Sequence, residues 1–249
     1  MGDVRLGTSG WSYPEWVGHF YPNGTQPARM LEFYGRRFST VESHSTYRRL
    51  PTVDGLERWK SQVGPDFRFV PKVHMGITHR RDLEGVEDRV ASFLAAIAPL
   101  GEHLGPVLVS LPHKEPDLER LDRLLSAFTP NTGGAGSPAL AFDLKPAWVT
   151  PAVLDRLDAS GAGLVVTDDD SHPWGEGPAA GTIPLTVGRL VYVRLRRDRY
   201  NRDQLERWAE RLTKAAVDGR DVFAFVKHDE LGDGARYARQ IQAAARRGR

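Results

Sequence analysis

Apolar side chains alternate with a period of two in eight short segments of the chain, and shift to a helical period between most of them. The segments are VRLGTS (4–9), TVESH (40–44), FRFVPKVH (67–74), PVLVSLP (106–112), LAFDLK (140–145), GLVVTD (163–168), LVYVRLR (190–196) and VFAFVK (222–227). Residues 27–38 place Met30, Leu31, Tyr34 and Phe38 on one helical face, and 86–98 do the same with Val86, Val90, Phe93, Leu94 and Ile97. Residues 117–128 follow with Leu118, Leu121, Leu124, Leu125 and Phe128, and 202–216 with Leu205, Trp208 and Leu212. Weaker helical patterns cover 54–63, 152–159 and 234–246, with Pro151 where a first turn would start. Strand alternating with helix predicts a parallel sheet, and eight such units predict a single α/β domain over 1–249, a (β/α)8 TIM-type barrel. One unit departs: the stretch DDSHPWGEGPAAGTIPLTVGR (169–189) has no helical period, so a long irregular loop is expected in place of the sixth helix. The run NTGGAGSP (131–138) reads as a surface turn.

Strand parity then separates the polar residues by face. Leu140, Phe142 and Leu144 oppose Ala141, Asp143 and Lys145; Val191, Val193 and Leu195 oppose Tyr192, Arg194 and Arg196. Phe67, Phe69 and Val73 oppose Val70, Lys72 and His74, while Val222, Ala224 and Val226 oppose Phe225 and Lys227. The apolar set must meet the helices, so the charged set is expected to point into the barrel. Those charges fall late in their strands, where active sites of this fold sit. The expected inner rim is Ser9, Glu42, His44, Lys72, His74, Ser110, Asp143, Lys145, Asp168, Arg194, Arg196 and Lys227. Glu42 stands out, because an unpaired carboxylate on a buried strand costs several kcal/mol. Lys72, Arg194 and Lys227 are its expected partners.

Composition narrows the chemistry. The chain of 249 residues has a formal net charge of only +2, which announces neither nucleic acid nor membrane. It has no cysteine, which excludes disulfides and thiolate nucleophiles. No apolar run reaches the roughly 20 residues of a membrane span, and MGDVRLGTSG lacks the build of a signal peptide, so a cytoplasmic protein is expected. GTSGW lacks the nucleophile-elbow spacing, and its glycines read as a tight turn where backbone can approach a ligand.

The segments GTSGWSYPEWVGHFYP (7–22), LEFYGRRFSTVESHSTYRRLP (31–51), FRFVPKVHMGITH (67–79), LGPVLVSLP (104–112) and KHDELGDGARYA (227–238) resemble the YecE-like family, domain of unknown function 72. The resemblance covers essentially the whole chain and implies the barrel fold, with no particular chemistry. Glu42, Lys72, Thr78, His79, Pro112, Trp148, Asp168, Arg194, Tyr200 and Trp208 match recurrent family positions. His44 stands where Asn is more usual, and Ser110 where Gln is. The usual strand-five Glu, Arg-His and Trp is reduced to Asp143, Lys145 and Trp148, and Arg196 and Arg197 replace a His-Gly. Lys227 and His228 replace a common Asn-Asn.

Two functional readings follow. In the first, an enzyme of hydrolase type acts on a phosphate- or carboxylate-bearing small molecule or nucleotide at the strand C-terminal ends. Glu42 and Asp143 would be the acid and base, Asp168 would orient, and Lys72 and Arg194 would stabilise developing charge. Arg194, Lys227, His79, Arg196, Tyr47, Arg48, Trp11, Lys145 and His228 would line the ligand, since Arg forks suit phosphate and carboxylate. The bland counterpart is a structural ring of ion pairs inside the barrel. No cofactor is expected, although His44, His74, His79 and His228 keep a divalent metal in view. In the second reading, Trp11, Tyr13, Trp16, Phe20 and Tyr21 stack single-stranded nucleic acid beside the arginines, in a nucleic-acid-binding or nuclease-associated protein. The favoured use of that aromatic loop is capping the barrel against strand two, because five aromatics are hard to leave wet.

Overall fold

A computed structural model describes residues 2–129, 138–171, 185 and 187–247. All eight predicted strands are present: β1 (Val4–Thr8), β2 (Thr40–Ser43), β3 (Arg68–Pro71), β4 (Val107–Ser110), β5 (Leu140–Asp143), β6 (Gly163–Asp168), β7 (Leu190–Leu195) and β8 (Asp221–Val226). Every paired neighbour runs parallel. Six strands form a curled sheet in the order β1-β8-β7-β6-β5-β4, and β2 pairs with β3 in a second sheet. Isolated parallel bridges Ser9–Glu42 and Lys72–Leu108 lie between β1 and β2 and between β3 and β4.

The predicted helices appear as α1 (Pro27–Gly35), α3 (Val53–Lys60), α5 (Val86–Ile97), α6 (Leu118–Phe128), α7 (Pro151–Ser160), α8 (Arg202–Val217) and α9 (Asp233–Arg247). Their starts are written locally. The side chains of Thr52, Asp117 and Thr150 accept from backbone amides of α3, α6 and α7, and Asn201 with Gln204 forms a capping box on α8. Two one-turn helices, α2 (Ser45–Arg48) and α4 (Met75–Thr78), have no counterpart in the hydrophobic pattern. They follow β2 and β3 directly and build one wall of the mouth. The expected loop in place of the sixth helix and the 131–138 turn fall mostly outside the described residues.

Parity sorts the core as the pattern required. Phe69, Val109, Phe142, Val166, Val193 and Ala224 face the helices in one large cluster. Val70, Leu108, Ala141, Val165, Leu190, Tyr192, Phe223 and Phe225 form a second cluster on the concave side of the sheet. Burying each such Val, Leu or Phe is worth about 1.5–3 kcal/mol, so the concave cluster holds β3, β7 and β8 together below the charged rim. Gly7 belongs to this packing: a Cβ there would lie 2.2 Å from the Thr40 carbonyl oxygen of β2. Its missing side chain therefore serves strand contact rather than ligand approach, and Gly10 (φ +92°) makes the turn.

Candidate active site

Glu42 lies at the C-terminal end of β2, is 0 % exposed, and faces inward. Its Oε1 accepts from Ser9 Oγ (2.8 Å), His44 Nε2 (2.6 Å), Arg194 Nη2 (3.1 Å) and Arg196 Nη2 (3.0 Å). Its Oε2 accepts from the Tyr192 hydroxyl at 2.7 Å. Burial pushes this carboxyl up, but Arg194, Arg196 and His44 outweigh it and hold it well below the usual carboxylate range. Arg194 extends the network to β5, donating from Nη1 to Asp143 Oδ2 at 2.7 Å, where Ser110 Oγ also donates at 3.0 Å. Burial lowers the Arg194 guanidinium, yet Glu42 and Asp143 more than reverse it. Arg196 donates to Ser9 Oγ as well (2.8 Å), and burial and Arg194 together shift it down.

Lys72 completes the inner layer. It follows β3 with the parity of Val70, and its Nζ stands 4.5 Å from the centre of the Tyr47 ring. Burial, then Arg194, lower its ammonium, against the opposing pull of Asp143 and Glu42. Among the described residues it has neither a hydrogen bond nor a carboxylate partner. The Tyr47 hydroxyl is 2.9 Å from His79 Nε2, and His79 Nδ1 is 2.9 Å from Thr78 Oγ1. Burial, Lys72 and His113 keep that imidazole below its ordinary pKa. One oxygen of Asp143, Oδ1, also has no partner among the described residues.

The structure thus brings together Glu42, Asp143, Lys72, Arg194, Arg196, Tyr47 and His79. It separates others. Asp168 was expected on the inner rim, but β6 turns Val165 inward, and alternation turns Asp168 out among the helices. There it accepts from Arg197 Nε (2.7 Å), Tyr200 (3.1 Å) and Trp208 Nε1 (3.0 Å). Lys227 was an expected partner of Glu42; it is paired instead with Asp198 at the outer edge of the rim. Lys145 and Arg48 are exposed. Trp11 packs edge-on against Trp59, with ring centres 5.0 Å apart. His228 stacks on Tyr13 and meets Glu15 Oε1 at 2.7 Å. Trp16 and Tyr21 are buried, so the first loop does cap the structure. Its rings pack against Phe33 and Phe38 of the α1 region and against His228, and Gly10 at its start donates its backbone N–H to the Glu42 carbonyl of β2 at 2.9 Å.

The four rim histidines do not converge. His44 holds Glu42, His74 meets the Arg48 carbonyl (3.2 Å), His79 meets Tyr47 and Thr78, and His228 meets Glu15. Among the described residues no three His, Asp or Glu side chains gather to hold a metal ion. Nor is any described helix long and apolar enough to cross a membrane. Tyr192 was missed as a site residue, although it shares the face of Arg194 two positions on. Its hydroxyl is pushed well above the usual range by burial and by Glu42.

A curled parallel sheet with charge gathered at its strand C-terminal ends defines a TIM-barrel-like α/β protein. The chain belongs to the family described as protein of unknown function DUF72, whose profile matches residues 5–249. The UPF0759 protein YecE of Escherichia coli K12 is 33 % identical over 109 residues, a match spanning 44 % of this chain and only 38 % of that protein. UPF0759 protein YunF of Bacillus subtilis 168 is 21 % identical over 96 % of this chain and 93 % of its own length. A DUF72 family crystal structure from Enterococcus faecalis V583 superposes with a TM-score of 0.78 at 20 % identity, covering 98 % of this chain and 96 % of that one. A D-allulose 3-epimerase from Methylomonas sp. gives a TM-score of 0.52 at 13 % identity over 100 % and 98 % of the two chains, a likeness of fold alone.

Proposed function

We propose that the strand C-terminal ends form the active site of an enzyme that binds a phosphate- or carboxylate-bearing small molecule and works on it by acid–base chemistry. The observation that carries this reading is the Lys72 ammonium, which makes no hydrogen bond or ion pair with any described residue. A half-buried cation beside Arg194 and Arg196 is costly on its own, and an anionic ligand would relieve the cost. The two sheets are read as one closed eight-stranded barrel, supported by the Ser9–Glu42 and Lys72–Leu108 bridges at both seams.

Roles shift within this reading. Glu42 has donors on both oxygens and is held firmly ionised, so it is a poor proton carrier; it positions Arg194, Arg196 and His44. Asp143, whose Oδ1 accepts no hydrogen bond from any described residue, is the better base, and hydrolysis of an anionic substrate is a reaction it suits. The nucleic-acid alternative finds less support, because Trp16 and Tyr21 spend their ring faces on the core. Titration of acetate and inorganic phosphate into the protein, followed by calorimetry, tests the reading. Saturable binding that Lys72→Met weakens at least about tenfold, one full charge contact, is expected. No binding, or binding indifferent to Lys72→Met, overturns it.

A further inference from the structure

The chain has six lysines, all of them among the described residues. Lys60 is bonded to Glu57 and the Pro99 carbonyl, Lys214 to Asp218, and Lys227 to Asp198. Lys114 and Lys145 are exposed. Lys72 is the one that is half-buried, has an ammonium with no hydrogen bond or ion pair among the described residues, and lies within electrostatic reach of Arg194, Asp143 and Glu42. A lysine kept only to hold an anion gains from a robust charge. Here burial and Arg194 work against that charge, while the Tyr47 ring, Asp143 and Glu42 only partly restore it. Amines desolvated beside another cation are the ones that act as nucleophiles toward carbonyl carbons.

We propose that Lys72 is a covalent amine, forming an imine with an aldehyde or ketone that also carries a carboxylate or phosphate. The inference rests on the anion-binding reading of the mouth and names the substrate class that the same site takes. Neutral Nζ adds to the carbonyl carbon, the C=O electron pair moves to oxygen, and a proton passes from nitrogen to that oxygen. The carbinolamine then loses its hydroxyl, with a proton, as water, leaving C=N to Nζ. The balance is carbonyl plus amine giving imine plus water, with no oxidation or reduction. Asp143, whose charge acts on Lys72 from beyond ion-pair distance, takes the proton from nitrogen and returns it to the departing hydroxyl through an intervening water. Arg194 and Arg196 neutralise the substrate's anionic group and keep Lys72 from holding its own proton.

Reductive trapping tests this on the whole chain. The protein is incubated separately with glyoxylate, pyruvate and glycolaldehyde phosphate, reduced with borohydride, and digested with trypsin. Trypsin cleaves after Arg68, Lys72 and Arg80, so a reduced adduct on Lys72 joins two peptides into one spanning 69–80. Labelling of Lys72 at near-neutral pH should exceed that of each other lysine by about tenfold or more with at least one probe, as expected for a desolvated amine. Lys72→Arg should abolish that peptide yet keep acetate binding within a few-fold. Equal labelling of all lysines, or none at Lys72, overturns the proposal. If acetate still binds in that case, the anion-site reading stands alone; if acetate does not bind either, both fall. Should Lys72→Arg fail to fold, the selectivity among lysines in the unaltered chain decides.

Discussion

Among the described residues two carboxylates are fully buried, Glu42 at the end of β2 and Asp168 at the end of β6. Each is gripped by arginine and tyrosine, yet they sit on opposite faces of the sheet. Asp168 looks outward and ties Arg197, Tyr200 and Trp208 into the packing between β6 and α8. Glu42 looks inward and faces two guanidiniums at once, with Lys72 and Asp143 in the same layer. The outward site fastens a helix to the sheet. The inward one gathers three cations, Arg194, Arg196 and Lys72, around two carboxylates, Glu42 and Asp143. Burial and pairing are common to both; what differs is whether cations remain over after the pairing.

Substitution separates the two. Glu42→Gln should have the largest effect, a loss of about 3–5 kcal/mol in urea denaturation, because Arg194 and Arg196 would share Asp143 alone. An undiminished midpoint would show that the network is not holding the strands together. Asp168→Asn keeps acceptors for Tyr200 and Trp208 but drops the charge facing Arg197, and should cost about 2–3 kcal/mol while leaving acetate affinity unchanged. A loss of acetate binding there would break the contrast between the two sites. Lys72→Met should do the reverse: weaken acetate binding and leave stability equal or higher by roughly 0.5–1 kcal/mol, since it removes a partly desolvated charge. Tyr47→Phe should be smallest, under about 1 kcal/mol, because the ring over Lys72 stays and only the bond to His79 goes.

Acidity sharpens the comparison further. The folded pKa of Glu42 lies below its unfolded value, so its stabilisation is whole above about pH 4.3 and is lost as pH falls through the depressed folded pKa. The gap in urea midpoint between the unaltered chain and Glu42→Gln should close in that acid range. Lys72 is also depressed, but as a base: it sheds its charge below the ordinary lysine value of about 10.4. Acetate affinity should fall with rising pH before that value is reached, while borohydride-trapped adduct rises over the same interval. With Lys72→Arg in place, acetate affinity should stay level across it.

Periodicity determined most of the framework. Eight strands and seven helices follow from apolar spacing and from local caps such as Asn201 with Gln204, because those signals act within a few residues of one another. Period two also assigned Asp143, Arg194, Arg196, Lys72 and Glu42 to the inner face. The misplacement of Asp168 has the same root: within GLVVTD both parities carry apolar residues, so alternation alone left the strand's inward set unmarked. Pairing was decided only by tertiary structure. Whether Glu42 meets Lys227 or Arg196, and whether Lys72 finds any partner, depends on strand stagger and on rim loops such as the one that takes Lys227 to Asp198. Those contacts join residues up to 187 positions apart, as between Arg196 and Ser9, beyond the reach of any local pattern. The sequence by itself wrote which side chains face inward; the fold decided that the ammonium of one lysine among them, Lys72, makes no hydrogen bond or ion pair with any described residue.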